Sequence, residues 1–290
     1  MSKKHIDEIS GVETTSHVWD DDLRELNNPL PKWWLYTFYA CILWAFVFWY
    51  FYPSWPTLNG YTKGSLGFSQ RAEVMSDVAK GVAAQTTFRK QIEAMPLADV
   101  AKNPELLRFA SAAGSAAFQT NCAPCHGRGA QGAVGYPNLN DDDWLWGGKV
   151  EDIEKTLLYG IRGDHAETRA SIMPKFGIDG TLKPAEIDAT VAYVQSLSKP
   201  VADTALVAQG KAIYAEQCVA CHGENGKGNV EMGSPNLTDG IWLYGGDAKS
   251  IRESLWSGRA GMMPAWGTRL DKTTIKSLAV YVHTLGGGKN

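Results

Sequence analysis

The chain has 290 residues, 44% hydrophobic and 20% charged, with a formal net charge of −3. That length allows two folded domains, the lack of a basic excess argues against a nucleic-acid binder, and five cysteines are too few for a disulfide-stapled scaffold. The averages hide a division: residues 1–32 hold four basic side chains (Lys3, Lys4, Arg24 and Lys32) against seven acidic ones. Twelve of the 31 aromatic residues fall between Trp33 and Tyr52.

That aromatic run is uncharged and closed by Pro53. A helix of such length spans roughly 30 Å, the thickness of a bilayer's hydrocarbon core. Trp33, Trp34 and Tyr36 lie at one end and Trp49, Tyr50 and Tyr52 at the other, where amphipathic rings settle at the membrane–water interfaces. A cleaved signal peptide would want a short basic leader and an A-x-A-like site. Here the leader is acidic, and Pro53-Ser54-Trp55-Pro56 offers no such site. A buried soluble helix rarely runs this long or this aromatic. Residues 33–53 therefore read as an uncleaved, single-pass anchor in membrane lipid. Basic residues near its ends, with Lys63 and Arg71 on the far side, favour a cytoplasmic N-terminus for residues 1–32. Cys41 sits mid-span as a small apolar filler.

Residues 54–104 read as a linker. Its first part, 53–66, has loop composition. From about residue 69 to 95 a helical period appears, with Met75, Val78, Ala79 and Val82 on one face. Asn103-Pro104-Glu105 is a helix start, with a capping side chain, proline at the first helical position and an early acid. That helix should run to about Thr120.

Beyond it the chain repeats itself. Cys122-Ala-Pro-Cys125-His126-Gly127 returns as Cys218-Val-Ala-Cys221-His222-Gly223. Gly114 and Phe118 correspond to Gly210 and Tyr214, Pro137-Asn138-Leu139 to Pro235-Asn236-Leu237, and Trp144 to Trp242. Met173-Pro174 with Phe176-Gly177 corresponds to Met263-Pro264 with Trp266-Gly267, and the closing helices 191–197 and 279–285 correspond as well. The expected domains are 105–199 and 203–290.

Two thiols three residues apart, followed at once by imidazole, suit covalent haem. The thiols add to the two vinyl groups, and the histidine meets the iron as an axial ligand. Zinc wants four ligands, usually from two separated pairs, and none is paired within one repeat. A thioredoxin-like dithiol wants a βαβ setting, whereas these flanks are helical. The expected cofactors are two covalently bound haem c groups, at Cys122, Cys125 and His126 and at Cys218, Cys221 and His222. A thioether sulfur on the far side of the iron raises the potential and blocks external ligands. Met173 is the first repeat's single methionine after its histidine; the shared frame picks Met263 over Met232 and Met262 in the second. Each methionine is assumed to serve the haem of its own repeat. The first repeat carries an insertion, residues 164–171, whose His165 is an alternative ligand. His5, His17 and His283 have no partner pattern. Trp144, Trp146, Trp242 and Tyr244 could cover the porphyrin or simply pack in the core. The carbonyls of Pro137 and Pro235 could accept the second ring N–H of the ligand histidines.

These tandem motifs resemble class I cytochrome c domains. The whole chain resembles the dihaem subunit family of cbb3-type cytochrome c oxidases (CcoP/FixP), most specifically through the Asn28-Pro29-Leu30-Pro31-Lys32-Trp33-Trp34 approach to the anchor and the stretch from Pro137 to Gly148. The resemblance implies an all-α protein, one transmembrane helix followed by two tandem cytochrome c domains held in the periplasm of a bacterial inner membrane. It further implies an electron-transfer subunit, fed by a cytochrome c donor, whose partners are the catalytic and monohaem subunits of an oxygen-reducing oxidase. No catalytic residue stands out, so the chain alone is not expected to reduce oxygen. A free-standing anchored carrier shares every haem feature, while a dihaem peroxidase would need an open iron position that two intact methionine frames argue against. The first repeat carries about −4 and the second about +1, so basic donors could be steered to the first. The stripe of the linker helix has two candidate partners, the haem repeats or an oxidase core; the resemblance favours the core.

Overall fold

The computed structural model describes residues 5–286; Lys3, Lys4 and positions 287–290 lie outside the described residues. The chain forms two compact units, residues 1–83 and 84–290. The described part is mostly helical, as expected for an all-α protein.

In the first unit, β1 (Thr14–Trp19) pairs antiparallel with β2 (Leu23–Leu26). Asp20 and Asp21 turn the chain between them at φ 48° and 71°. Short aspartates tolerate this left-handed region better than most side chains. Sequence reasoning saw only charge in this hairpin. Next comes α1 (Lys32–Phe51), uncharged after Lys32, with no buried residue and long enough to cross a membrane. Its aromatic rings pair at helical spacing, Trp34 on Phe38 at 5.5 Å and Phe48 on Tyr52 at 4.7 Å. The expected loop after it holds a small hairpin, β3 (Pro56–Thr57) with β4 (Gly60–Tyr61). The following helix, α2 (Gln70–Ala94), agrees with the sequence period to within one residue at each end.

In the second unit, α3 (Leu97–Lys102) leads into α4 (Pro104–Asn121). The Asn103 side chain accepts from the Glu105 and Leu106 amides at 3.0 and 3.2 Å, as the sequence predicts. The remaining helices are α5 (Ala123–His126), α6 (Val150–Tyr159), α7 (Pro184–Ser196), α8 (Thr204–Gln217), α9 (Val219–His222), α10 (Ala248–Ser257) and α11 (Lys272–His283).

The way these helices pair organises everything else. The closing helix of each repeat packs against the opening helix of the other: α11 lies on α4 and α7 on α8. Gly114 on α4 makes the first crossing close, because a Cβ there would meet the Ser277 carbonyl and Tyr281. Gly210 on α8 does the same against Ala189 and Tyr193. Ring pairs flank both crossings, Phe118 with Tyr281 at 5.5 Å and Tyr193 with Tyr214 at 5.1 Å. Two apolar cores result. One joins Leu106, Ala110, Phe118, Val150, Ile153 and Leu157 of the first repeat to Ile275, Leu278 and Val282 of the second. The other joins Phe176, Ile187, Val191 and Val194 of the first repeat to Tyr214, Leu237, Ile251 and Leu255 of the second. We call these lobe A and lobe B.

The crossing extends to the methionine strands. Ile161, just beyond α6, exchanges two backbone hydrogen bonds with Met263, both 2.9 Å. Arg259, just beyond α10, exchanges two with Met173, at 3.0 and 3.3 Å. The end of α2 also joins lobe A. Ile92 is fully buried there, and Phe88 stacks on Phe109 at 5.1 Å. Met75, Val78 and Val82, of the expected stripe, are more than half exposed.

Candidate functional site

Each Cys-x-x-Cys-His motif sits on a single helical turn, α5 or α9, immediately after a long helix. The turn ends at Gly127 and Gly223, with φ of 80° and 76°, a region that favours glycine. The chain can therefore leave the histidine sharply. It loops back so that the Pro137 carbonyl lies 3.0 Å from His126 Nδ1 and the Pro235 carbonyl 3.2 Å from His222 Nδ1. A carbonyl can only accept, so in each pair Nδ1–H donates and Nε2 keeps its lone pair for a metal. Burial pushes both imidazoles below their ordinary pKa, against the raising effect of these carbonyls. Neutral rings are the form that binds iron.

The first thiol of each motif is buried and the second is more accessible, and none of the cysteines is in a disulfide. Burial pushes the Cys122 and Cys218 thiols up to about 11, with the neighbouring Cys125 and Cys221 adding to the rise. Such thiols are poor nucleophiles once the lobe has closed. Among the described residues no three His, Cys, Asp or Glu side chains converge as a set for one ion.

In lobe B a cleft of about 1410 Å³, its open mouth included, is lined by Cys218, Cys221, His222 and Met173. Its other walls are mainly apolar, among them Phe176, Val194, Leu237, Trp242, Ile251 and Leu255. Lobe A gathers the corresponding set: Cys122, Ala123, Leu139, Met263 and Trp266 share its apolar cluster. Two thiols, a neutral imidazole and a thioether in an apolar setting fit haem c, and the same donors fit zinc poorly.

The eight site residues read from the sequence thus gather in two places, but the methionines are exchanged. Met173 lies with the Cys218 motif and Met263 in the Cys122 core, contrary to the assumption that each serves its own repeat. The physical reason is the crossed packing, which carries each methionine strand across with its closing helix. His165 is not among the residues that line the lobe B cleft; its ring rests on Tyr159 at 4.9 Å and its Nδ1 accepts from the Glu167 amide. Met262 is 67% exposed, while Met232 also lines the lobe B cleft. Among the four aromatics, Trp242 and Tyr244 line that cleft, Trp144 packs on the lobe A core, and Trp146 is buried beneath the Arg169 guanidinium. Arginines at the crossing were missed. Arg162 and Arg259 line the cleft as well, and only their place just after the two Gly160 and Gly258 positions hinted at it.

Comparison with known proteins covers nearly the whole chain. Residues 11–59 match the family described as the N-terminal domain of cytochrome oxidase-cbb3, FixP. Residues 111–198 match cytochrome c, and 205–282 match cytochrome C oxidase, cbb3-type, subunit III. A cbb3-type cytochrome c oxidase subunit FixP from Bradyrhizobium sp. (strain ORS 278) is 54% identical over 285 residues, 98% of each chain. The chain belongs to the FixP/CcoP family of cbb3-type oxidase subunits. Subunit CcoP of Azospirillum brasilense is 52% identical across the full length of both chains, and FixP of Rhizobium meliloti (strain 1021) 50% identical over 287 residues. As a FixP/CcoP member, the chain is a haem c-binding electron-transfer subunit anchored to the membrane by α1.

Proposed function

We propose that this FixP/CcoP chain carries two covalent haem c groups and relays electrons from a cytochrome c donor to the oxygen-reducing core of a cbb3-type oxidase. The observation that carries this reading is the duplicated set of two thiols, carbonyl-locked histidine and methionine, within a full-length family match. Haem c, when bound, supplies a reversible one-electron Fe(III)/Fe(II) couple. Cys122 and Cys125 hold one group by thioether bonds and Cys218 and Cys221 the other. His126 and His222 present Nε2 to the iron, fixed in that tautomer by the Pro137 and Pro235 carbonyls. Met263 completes the His126 site and Met173 the His222 site, so each site is assembled from both repeats. A methionine thioether bound to the iron would keep oxygen and other small ligands off it, which would leave oxygen chemistry to the partner. The working partners are the catalytic and monohaem subunits of the oxidase, and the exposed Met75–Val82 stripe of α2 suits contact with that membrane core. On this reading residues 53–290 lie in the periplasm and residues 1–32 in the cytoplasm, the orientation that the basic residues near the ends of α1 favour.

The test is isolation of the native protein in mild detergent. The expected product holds two haems per chain that survive acid–acetone extraction, and it travels with the catalytic subunits. A single haem, bound zinc, or a chain that travels alone would contradict the reading. Protease acting only from the cytoplasmic face should leave the haem lobes intact; their digestion would reverse the orientation.

A further inference from the structure

Where the two methionine strands cross, one side chain reaches both. Arg162 lies three residues beyond α6. Its Nε donates to the Gly261 carbonyl at 2.6 Å, and its Nη1 donates to the Ser171 carbonyl at 2.6 Å. Gly261 stands two residues before Met263, and Ser171 two residues before Met173. The Ser171 hydroxyl donates in turn to the Met232 carbonyl, which ties this strand to the loop that also lines the lobe B cleft.

The backbone at Arg162 is unusual. Its φ is 51°, in the left-handed region that a bulky L side chain rarely adopts. Such a conformation persists when surrounding contacts over-determine it. Here those contacts are the two side-chain bonds, with the Arg162 amide also donating to the Arg169 carbonyl at 2.7 Å. A guanidinium is a planar fork that can donate in two directions from one fixed position. The second repeat has Ala260 at the corresponding place, so it supplies no matching cation.

We propose that Arg162 is a positioning residue for both axial methionines: by bridging Ser171 and Gly261 it holds the two ligand-bearing strands together, and one side chain sets the approach of Met173 and Met263 at once. This rests on the reading that both methionines ligate iron, and it holds whichever haem each one serves.

The experiment uses the full-length protein in detergent with Arg162→Gly and Arg162→Lys, beside Met173→His and Met263→His. Glycine removes the side chain while relieving the left-handed backbone, so the variant adds no backbone strain. The readouts are haem content, the weak far-red band that marks methionine bound to ferric iron, and carbon monoxide binding to the reduced protein. Each Met→His variant should lose about half of the band. Arg162→Gly should keep both haems covalently attached, lose more than half of the band and bind carbon monoxide at both sites. No single-site defect can remove more than half. Arg162→Lys keeps a donor and should recover part of the band relative to glycine. An unchanged band in Arg162→Gly, a loss confined to one haem, or equal bands in the glycine and lysine variants would overturn the proposal. A full band in both Met→His variants would overturn the axial reading and this inference with it.

Discussion

At Met173 and Met263 the shared Met-Pro frame was legible in the sequence, but its address was not. The Met-Pro frame marks a candidate thioether ligand, and two cysteines with an abutting histidine suit haem. Nothing in either copy says which copy it will face, because the two helix crossings are built from the same parts: Gly114 against Ser277 and Tyr281, Gly210 against Ala189 and Tyr193. Removal of one attachment site separates the possibilities. With Cys218 and Cys221 replaced by serine, Met263→His should abolish the methionine–iron band of the remaining haem, while Met173→His should leave it. The opposite result would return each ligand to its own repeat. The glycines themselves are sharp tests of packing. Gly114→Ala or Gly210→Ala pushes a methyl group into the backbone of the partner helix. Overpacking of this kind destabilises by about 1–3 kcal/mol, to be read as a lowered midpoint of chemical unfolding.

Among the elements, α2 shows how far a period can be trusted. Its limits were legible from the apolar spacing, and its buried end was not. Met75, Val78 and Val82 dominate the pattern, whereas Phe88 and Ile92 make the contact with lobe A. The six-residue α3 and the β1–β2 hairpin were too short to give a period at all. Polar groups clasp the end of α2 onto α11. Lys276 Nζ donates to the carbonyls of Ile92, Glu93 and Met95, at 3.0, 3.0 and 2.7 Å. These are end-of-helix carbonyls without helical partners, and a cation there also meets the negative end of the dipole. Lys276→Met should lower the protection of the last α2 amides from hydrogen exchange by about 1 kcal/mol. Arg89 adds an ion pair to Asp271 at 2.7 Å. Burial raises the Asp271 pKa, but hydrogen bonds from Thr274 and Arg89 outweigh it and hold the carboxyl below its ordinary value. The contribution is therefore present above the ordinary aspartate range and fades as pH falls through the depressed value. Below about pH 4 the end of α2 should exchange faster, and Asp271→Asn should remove that dependence. The pair is half exposed, so the effect should stay within about 1 kcal/mol. An equally steep acid response in Asp271→Asn would refute this account.

For the molecule as a whole, a repeat in sequence is a different object from a lobe in space. The duplication suggests two beads on a string, each able to fold alone. The packing makes one interlocked body of residues 84–290, because neither lobe has a core without a helix from the other repeat. The spacing in the sequence does not announce this: Gly160 stands 13 residues before Met173 and Gly258 only 5 before Met263, yet both methionine strands reach the far lobe. Heating should therefore unfold both haem lobes in a single cooperative transition, with calorimetric and van't Hoff enthalpies in agreement. Two resolved transitions, or a Gly210→Ala variant that melts lobe B alone, would show that the lobes are independent.

The crossing also sets a schedule. Gly114 meets Ser277, a helix made near the very end of the chain, so lobe A pairs segments more than 160 residues apart in sequence. Such non-local closure is slow and cannot begin before its last part exists. At synthesis rates of roughly 5–20 residues per second, the Cys122 motif stays unclosed for on the order of ten seconds after it is made. Lobe B, whose parts lie closer together, can finish sooner. A thiol that becomes buried and protonated in the finished lobe is thus left open longest in the copy that is made first. The topology thus sets the order in which the two thiol pairs are enclosed, and the first site made is the last to shut.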